Sequence, residues 1–165
     1  MKTKYGLLLT VAFACILLSA TAQNGFTDKT LAQNGFTKDS TKQGYWIEYL
    51  DENEQVTTDT AEEAYYTLTI YKAGIPTGMV REYYKSGKIR NETPYTTDGH
   101  IDGIAKGYFE SGVISTMTPY VYGKKEGTER TYYESGKIAS ETKYDNGLPE
   151  VQKRYNEDGT PINDK

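Results

Sequence analysis

The chain has 165 residues, with 19 basic and 23 acidic side chains, a formal net charge of −4 at pH 7 and one cysteine. The acidic balance disfavours nucleic-acid binding, because phosphates need a basic footprint. It also disfavours purely electrostatic attraction to anionic lipid. Sixteen tyrosines and sixteen glycines indicate a chain in which tyrosine supplies much of the packing.

Residues 1–22 have the pattern of a secretory signal peptide. Two lysines precede the apolar run "GLLLTVAFACILLSA", and the small residues Ala20 and Ala22 stand at the positions that a signal peptidase reads. We therefore expect cleavage before Gln23 and a secreted or periplasmic protein. A transmembrane anchor is the competing interpretation, but the apolar run is shorter than the roughly 20 residues that span a bilayer.

The single cysteine, Cys15, lies inside this apolar run. Removal of residues 1–22 would leave 17 basic and 23 acidic side chains, a net charge of −6, and no cysteine. The mature chain would then have neither disulfides nor thiol chemistry.

Residues 23–43 hold most of a small duplication, "AQNGFTDKT" starting at Ala22 and "AQNGFTKDS" starting at Ala32. Phe26, Leu31 and Phe36 are its large apolar side chains, too few to offset the ordering entropy of the segment. We expect a flexible tether here. A pair of peptide motifs for a partner is the alternative.

A longer repeat follows. "REYYKSGKIRNETPY", starting at Arg81, and "RTYYESGKIASETKY", starting at Arg130, agree at ten of fifteen positions, and "KGYFESGVISTMTPY", starting at Lys106, lies between them in the same register. Each copy has an opening glycine, a basic residue, an aromatic pair, a second glycine, an isoleucine and a closing tyrosine. In the first copy these are Gly78, Arg81, Tyr83 with Tyr84, Gly87, Ile89 and Tyr95; in the second Gly103, Lys106, Tyr108 with Phe109, Gly112, Ile114 and Tyr120; in the third Gly127, Arg130, Tyr132 with Tyr133, Gly136, Ile138 and Tyr144.

The repeat unit of about 24 residues is predicted to be a β-hairpin. Its segments are rich in Tyr, Ile and Thr, which suit strands, and "ESGK" is typical of a tight turn in which glycine supplies the positive φ. Period-two alternation puts Arg81 and Tyr83 on one face and Tyr84 on the other, and puts Ile89 and Asn91 on one face of the return strand. Pro94 and Pro119 should interrupt strand pairing on at least one side.

Two degenerate copies flank the three. The first starts at Gly44, places Asn53 at the turn glycine, and returns along 65–71 after an acidic insertion, residues 54–63. The last keeps Lys153, Tyr155 and Gly159. We expect a repeat domain over 44–163, with copies near 44–77, 78–102, 103–126, 127–150 and a partial copy at 151–163. The degenerate first and last copies are typical of the capping repeats that end such arrays.

The pattern "GxxxxYYxSGKIxxExxYxxGxxxG" resembles the MORN-repeat group, and more closely its bacterial variant of the antitoxin-like type. The similarity covers about 44–162. It implies an all-β fold, an elongated single-layer meander of antiparallel β-hairpins, and roles in scaffolding, protein binding, lipid contact or toxin neutralisation. The signal peptide argues against a cytoplasmic antitoxin.

The sequence shows no catalytic constellation, cofactor site or metal site. His100, the only histidine, lies in a turn with no cysteine or second histidine to join it. Glu92 and Glu141 are equivalent, but Met117 replaces them in the middle copy, so we interpret this column as solvated sheet surface and not as an acid/base pair. Aspartates beside the turn glycines lack the ligand spacing of a calcium loop.

The aromatic rows are the candidate binding feature. The isoleucines and their facing tyrosines should form the core, whereas Tyr84, Phe109 and Tyr133 could line a groove where rings stack on a ligand. We therefore predict a non-enzymatic, exported module for protein–protein interaction or scaffolding at the cell envelope. A carbohydrate-binding envelope protein and an immunity protein against a toxin are the alternatives.

Overall fold

The computed structural model describes residues 25–59 and 61–162, which form an all-β fold with one short 3-10 helix at Lys29–Leu31. The expected signal peptide lies outside the described residues. The strands of the described part are β1 (Gly35–Phe36), β2 (Lys42–Leu50), β3 (Tyr65–Lys72), β4 (Ile75–Tyr84), β5 (Ile89–Tyr95), β6 (Gly103–Tyr108), β7 (Ile114–Val121), β8 (Lys124–Lys125), β9 (Gly127–Tyr132), β10 (Ile138–Asp145), β11 (Leu148–Tyr155) and β12 (Pro161–Ile162).

These strands form one antiparallel sheet that follows chain order. The path runs β1-β2-β3-β4-β5-β6-β7-β9-β10-β11-β12, and β8 lies off it, paired to β7. The fold is thus the single-layer meander of hairpins that the sequence predicts, and the degenerate first copy pairs β2 with β3 as expected. No helix in the described part is long and apolar enough to cross a membrane.

The hairpin turns confirm the role of the second glycines. Gly87, Gly112 and Gly136 have φ values of 83°, 92° and 81°, and each donates its N–H to the carbonyl oxygen of the second aromatic residue at 2.8 Å. The expectation for Asn53 is wrong, because Glu54 carries the positive φ, 61°, in the first hairpin. The Asp51 carboxylate accepts the N–H of Asn53 at 2.8 Å and shapes this turn locally.

A β-bulge beside the glycine turn of each of the three repeats sets the faces of the sheet. Tyr83 lies opposite Ile89, but the preceding residue, Glu82, lies opposite Asn91. Strict alternation along the return strand is therefore wrong: Ile89 joins Tyr83 on one face, and Asn91 is on the other, because the extra residue reverses the alternation. We call the face with Tyr83 the ladder face and the face with Glu82 the threonine face.

The prolines end the pairing between hairpins, as expected. β5 pairs with β6 only at Asn91↔Gly107 and Glu92↔Lys106, before Pro94. β7 pairs with β9 only at Thr116↔Thr131 and Met117↔Arg130, before Pro119. A proline has no N–H to donate, so the ladder to the next hairpin cannot continue through it.

The core lies at the N-terminal end of the ladder face. Its buried residues are Phe26, Tyr66, Leu68, Ile70 and Tyr83. Residues 25–43 thus differ from the expected flexible tether. Phe26 is 2% exposed and packs edge to face against Tyr45 at 4.9 Å, and β1 pairs with β2. The apolar surface that orders the segment belongs to β2–β4, which composition of the segment alone does not show.

Candidate functional site

The predicted binding row, Tyr84, Phe109 and Tyr133, lies at the ends of the first strands, and all three side chains are half-buried. The hydroxyl of Tyr84 donates to the carbonyl oxygen of Tyr108 at 2.7 Å, and that of Tyr133 donates to the carbonyl oxygen of Tyr155 at 2.7 Å. Two of the three residues thus link a hairpin to the next. Phe109 has no hydroxyl for this bond. Ligand binding by the row stays a prediction.

A second row crosses the ladder face. Consecutive cross-strand neighbours run through seven strands: Arg81, Glu92, Lys106, Met117, Arg130, Glu141 and Lys153. Charges alternate along this ladder except where Met117 interrupts them. Opposite charges directly across neighbouring strands contribute roughly 0.2–1 kcal/mol per pair.

Two of the three repeats build the same three-residue unit on this ladder. Arg81 Nε lies 2.8 Å from Glu92 Oε1, and the Tyr108 hydroxyl donates to Glu92 Oε2 at 2.9 Å. Both side chains of the ion pair are mostly buried, at 14% and 17% exposure. One carboxylate thus joins a basic residue of its own hairpin to a tyrosine of the next.

The third repeat reproduces this unit. Arg130 Nε lies 2.9 Å from Glu141 Oε1, and the Tyr155 hydroxyl donates to Glu141 Oε2 at 3.1 Å. In the middle repeat the equivalent positions are Lys106, Met117 and Tyr132, and the Tyr132 hydroxyl contacts the Met117 sulfur at 3.6 Å. A thioether is a weak acceptor and carries no charge, so the middle unit lacks the carboxylate of its neighbours.

Burial and hydrogen bonding shift pKa values in these units. Burial, with the Glu92 carboxylate beside it, raises the pKa of Tyr108 to about 12. The hydrogen bond from Arg130 holds the pKa of Glu141 below its usual range. Both directions fit a unit in which tyrosine stays protonated and glutamate stays ionised.

The interpretation of Glu92 and Glu141 as solvated surface is therefore wrong, because the structure shows both carboxylates in ion pairs. The spacing does carry a signal. The glutamate follows the basic residue by eleven positions in both repeats, and the tight hairpin brings residues at this spacing opposite each other. Tertiary pairing with the next hairpin then adds the tyrosine, which this spacing does not reveal.

The N-terminal segment covers the ladder face only as far as β4. Gly25 sits so close to Met79 that a Cβ there would lie 2.1 Å from the Met79 carbonyl oxygen. Beyond β5, the substantial contacts in the described part join sheet neighbours. Ile104 and Val151, on the ladder face of β6 and β11, are 47% and 55% exposed. This open ladder face, from β5 to β11, is the candidate interaction surface.

Several cavities lie on the described part of the sheet. One of about 300 Å³ is on the open ladder face, between Thr128, Glu141, Lys143, Val151 and Lys153. One of about 220 Å³ is on the threonine face of β2–β5. Another, of about 540 Å³, is at the acidic insertion and is lined by Asp51, Glu52, Asn53, Ala61, Glu62, Glu63, Ala64 and Lys85.

No close group of three His, Cys, Asp or Glu side chains that could hold a metal ion occurs within 25–59 and 61–162. His100 is exposed and stacks on Tyr122, with ring centroids 4.1 Å apart. Tyr122 in turn donates a hydrogen bond to Asp98. The histidine therefore braces two neighbouring turns in the described structure.

Comparison with known families places the repeats. The family model described as "MORN repeat variant" matches residues 76–96, 101–122 and 125–146. Each match covers one hairpin, from its first strand to its return strand. Neither a curated protein nor a solved structure shows significant similarity to the chain. The chain therefore carries three consecutive MORN-variant repeats between residues 76 and 146.

Proposed function

We propose that this protein is a non-catalytic, exported binding module that docks a protein partner on the open ladder face. The observation that supports this proposal is the asymmetry of cover on one sheet face. The N-terminal segment buries Tyr83 to 6% exposure, whereas the equivalent Tyr108 and Tyr132 are only half-buried. A partner would complete over the later repeats the cover that residues 25–32 supply over β2–β4.

The composition of the open ladder face supports a protein as the ligand. It combines exposed Ile104 and Val151 with half-buried tyrosines and a row of ion pairs, the mixture that is common in protein interfaces. A carbohydrate site would need exposed flat rings. The most exposed aromatic side chains in the described part are Phe36, in β1, and Tyr122, in the turn after β7, and they form no row.

The absence of catalysis is supported by the side chains that do recur. The repeated polar units are ion pairs bonded to tyrosine, and their glutamates already accept from a basic side chain and a hydroxyl. Each glutamate thus acts as a structural acceptor that links two hairpins, and no histidine or cysteine in the described part lies in its unit to act as a base or nucleophile. We therefore expect no turnover of hydrolase substrates.

Export is proposed from the signal-like sequence of residues 1–22. The protein expressed in a secreting bacterial host should have an intact mass that begins at Gln23. A retained Met1 in the exported fraction would contradict this part of the proposal.

The docking surface is tested by capture from envelope extract. Ile104→Asp with Val151→Asp places two charges on the open ladder face, and Leu31→Asp with Val56→Asp places the same charges on exposed apolar residues elsewhere (49% and 66% exposed). We expect the first pair to lose the captured protein and the second to keep it, with both variants folded by circular dichroism. Equal capture by both pairs would place the site elsewhere, and binding on a glycan array instead would favour the carbohydrate alternative.

A further inference from the structure

The middle repeat departs from its neighbours at one position of the ladder. Glu92 and Glu141 each bridge a basic side chain and a tyrosine hydroxyl, whereas Met117 stands at the equivalent position. In cross-strand register Met117 lies between Lys106 and Arg130. Two cations thus flank a side chain that cannot neutralise them.

The charges along the ladder do not balance. The row contains four basic residues, Arg81, Lys106, Arg130 and Lys153, and two glutamates. It is a net positive strip on a chain whose formal charge is −4. No ion pair with Lys106 occurs in the described part of the chain, although Glu92 lies across from it. Arg130 is 45% exposed despite its bond to Glu141.

We propose that the ladder face above Met117 binds a carboxylate side chain from an extended acidic segment of the partner protein. The carboxylate accepts from the Lys106 ammonium and from the exposed Arg130 guanidinium, and so supplies the negative charge that Glu92 and Glu141 supply in the other repeats. The apolar part of the same segment lies on Met117 and Ile104.

One carboxylate suits this position better than a charged surface does. In both neighbouring repeats a single carboxylate uses one oxygen for arginine and the other for tyrosine, and the ladder repeats that spacing at Lys106, Met117 and Tyr132. A membrane surface is disfavoured because the chain as a whole is acidic, with a formal net charge of −4, so a broad anionic lipid surface would be repelled by the rest of the molecule even where the strip itself is basic. This inference rests on the open ladder face proposed above and adds the chemistry of the partner.

The probe is a capped peptide of about ten residues that alternates Thr and Glu, which presents its carboxylates along one side when extended. Titration is followed by the 13C methyl signal of Met117 in the full exported protein. We expect the Met117 signal to shift, and the matched Thr–Gln peptide to leave it unchanged. A Met117 signal unmoved at roughly millimolar peptide, or moved equally by both peptides, would overturn the proposal.

Met117→Glu supplies the missing carboxylate from within the chain and follows the pattern of the other repeats, so it should fold. Peptide binding to it, measured by calorimetry, should weaken about tenfold or more, whereas Met117→Leu should bind as the unmodified protein does. Lys106→Met is a second variant with the same expected loss. Equal binding by Met117→Glu, or Met117-dependent binding of vesicles of anionic lipid in place of the peptide, would refute the inference. If the peptide does not bind while Ile104→Asp with Val151→Asp still abolishes capture of the partner, the proposed function is retained and only the acidic chemistry of the partner is refuted.

Discussion

The hydroxyl of Tyr84 donates a 2.7 Å hydrogen bond to the carbonyl oxygen of Tyr108, which lies 24 residues later in the next hairpin. Tyr133 makes the same bond to Tyr155. Since the hairpins otherwise share only two register pairs at each of the β5–β6 and β7–β9 contacts, this side chain extends a short interface. Tyrosine at this position thus holds adjacent repeats together.

Tyr84→Phe and Tyr133→Phe should each lower the free energy of unfolding by about 1 kcal/mol, the net value of one hydrogen bond. Phe109→Tyr is the matched reverse change, because it adds the missing hydroxyl, and it should raise stability by a similar or smaller amount. Urea unfolding measures all three. Phenylalanine variants as stable as the unmodified protein would show that the bond contributes nothing.

The same variants separate the two candidate binding surfaces. Tyr84→Phe with Tyr133→Phe keeps the rings of the predicted row and should leave partner capture unchanged. Tyr84→Ala with Tyr133→Ala removes the rings. Loss of capture in a folded alanine pair would favour the predicted groove over the open ladder face.

Gly112→Val and Gly136→Val should destabilise the protein by about 1 kcal/mol or more, because a β-branched residue is strained at positive φ. A Cβ at either glycine would meet nothing within 4 Å, so the cost isolates backbone conformation from crowding. Gly112→Asn is the control, since asparagine tolerates the left-handed region, and it should cost less. Melting temperatures that do not distinguish valine from asparagine would contradict this account of the turns.

Phe26→Ala should cost about 3 kcal/mol, within the range for removing a buried phenylalanine side chain. Phe26 is part of the core, whereas Phe36 in the same duplicated segment is 64% exposed. Phe36→Ala should therefore cost less than about 1 kcal/mol. Thermal unfolding of the two variants tests whether the segment packs as described. Equally small losses of stability in both variants would show that the segment is a flexible tether.

Stability should fall as pH rises from about 10 to 12, in part through Tyr108. Burial and the Glu92 carboxylate raise the pKa of Tyr108 to about 12, above the ordinary tyrosine value of about 10, so in this window the unfolded chain loses the proton first. Its contribution is complete below the unfolded pKa and is lost as pH rises through the folded pKa. Other buried tyrosines shift the same way, so Tyr108→Phe should reduce the slope without removing it.

The phenol 13C signal of Tyr108 reports this ionisation directly. Glu92→Gln removes the carboxylate charge beside the hydroxyl and should bring the midpoint down toward 10, because burial then raises the pKa of Tyr108 without the Glu92 carboxylate and the Arg81 charge still lowers it. A midpoint that stays near 12 in this variant would assign the whole shift to burial.

Local chemistry in the sequence determined the repeat and its hairpins. The glycines that end each first strand, the β-formers between them and the prolines after them act within one unit, so their spacing alone predicts the turns, the strand pairs and the interruption before the next copy. The spacing also predicts that Tyr83 and Ile89 pack together, because a tight turn brings these two residues opposite each other.

Contacts between distant segments were decided only by the tertiary structure. The packing of residues 25–43 depends on an apolar surface that β2–β4 form together. The bulged residue of the hairpin places Asn91 on the face opposite that of Ile89. The pairing of Glu92 with both Arg81 and Tyr108 needs two hairpins in register. The register between neighbouring hairpins determines which side chains meet across repeats. This register depends on many weak contacts together, so no single spacing in the sequence predicts it.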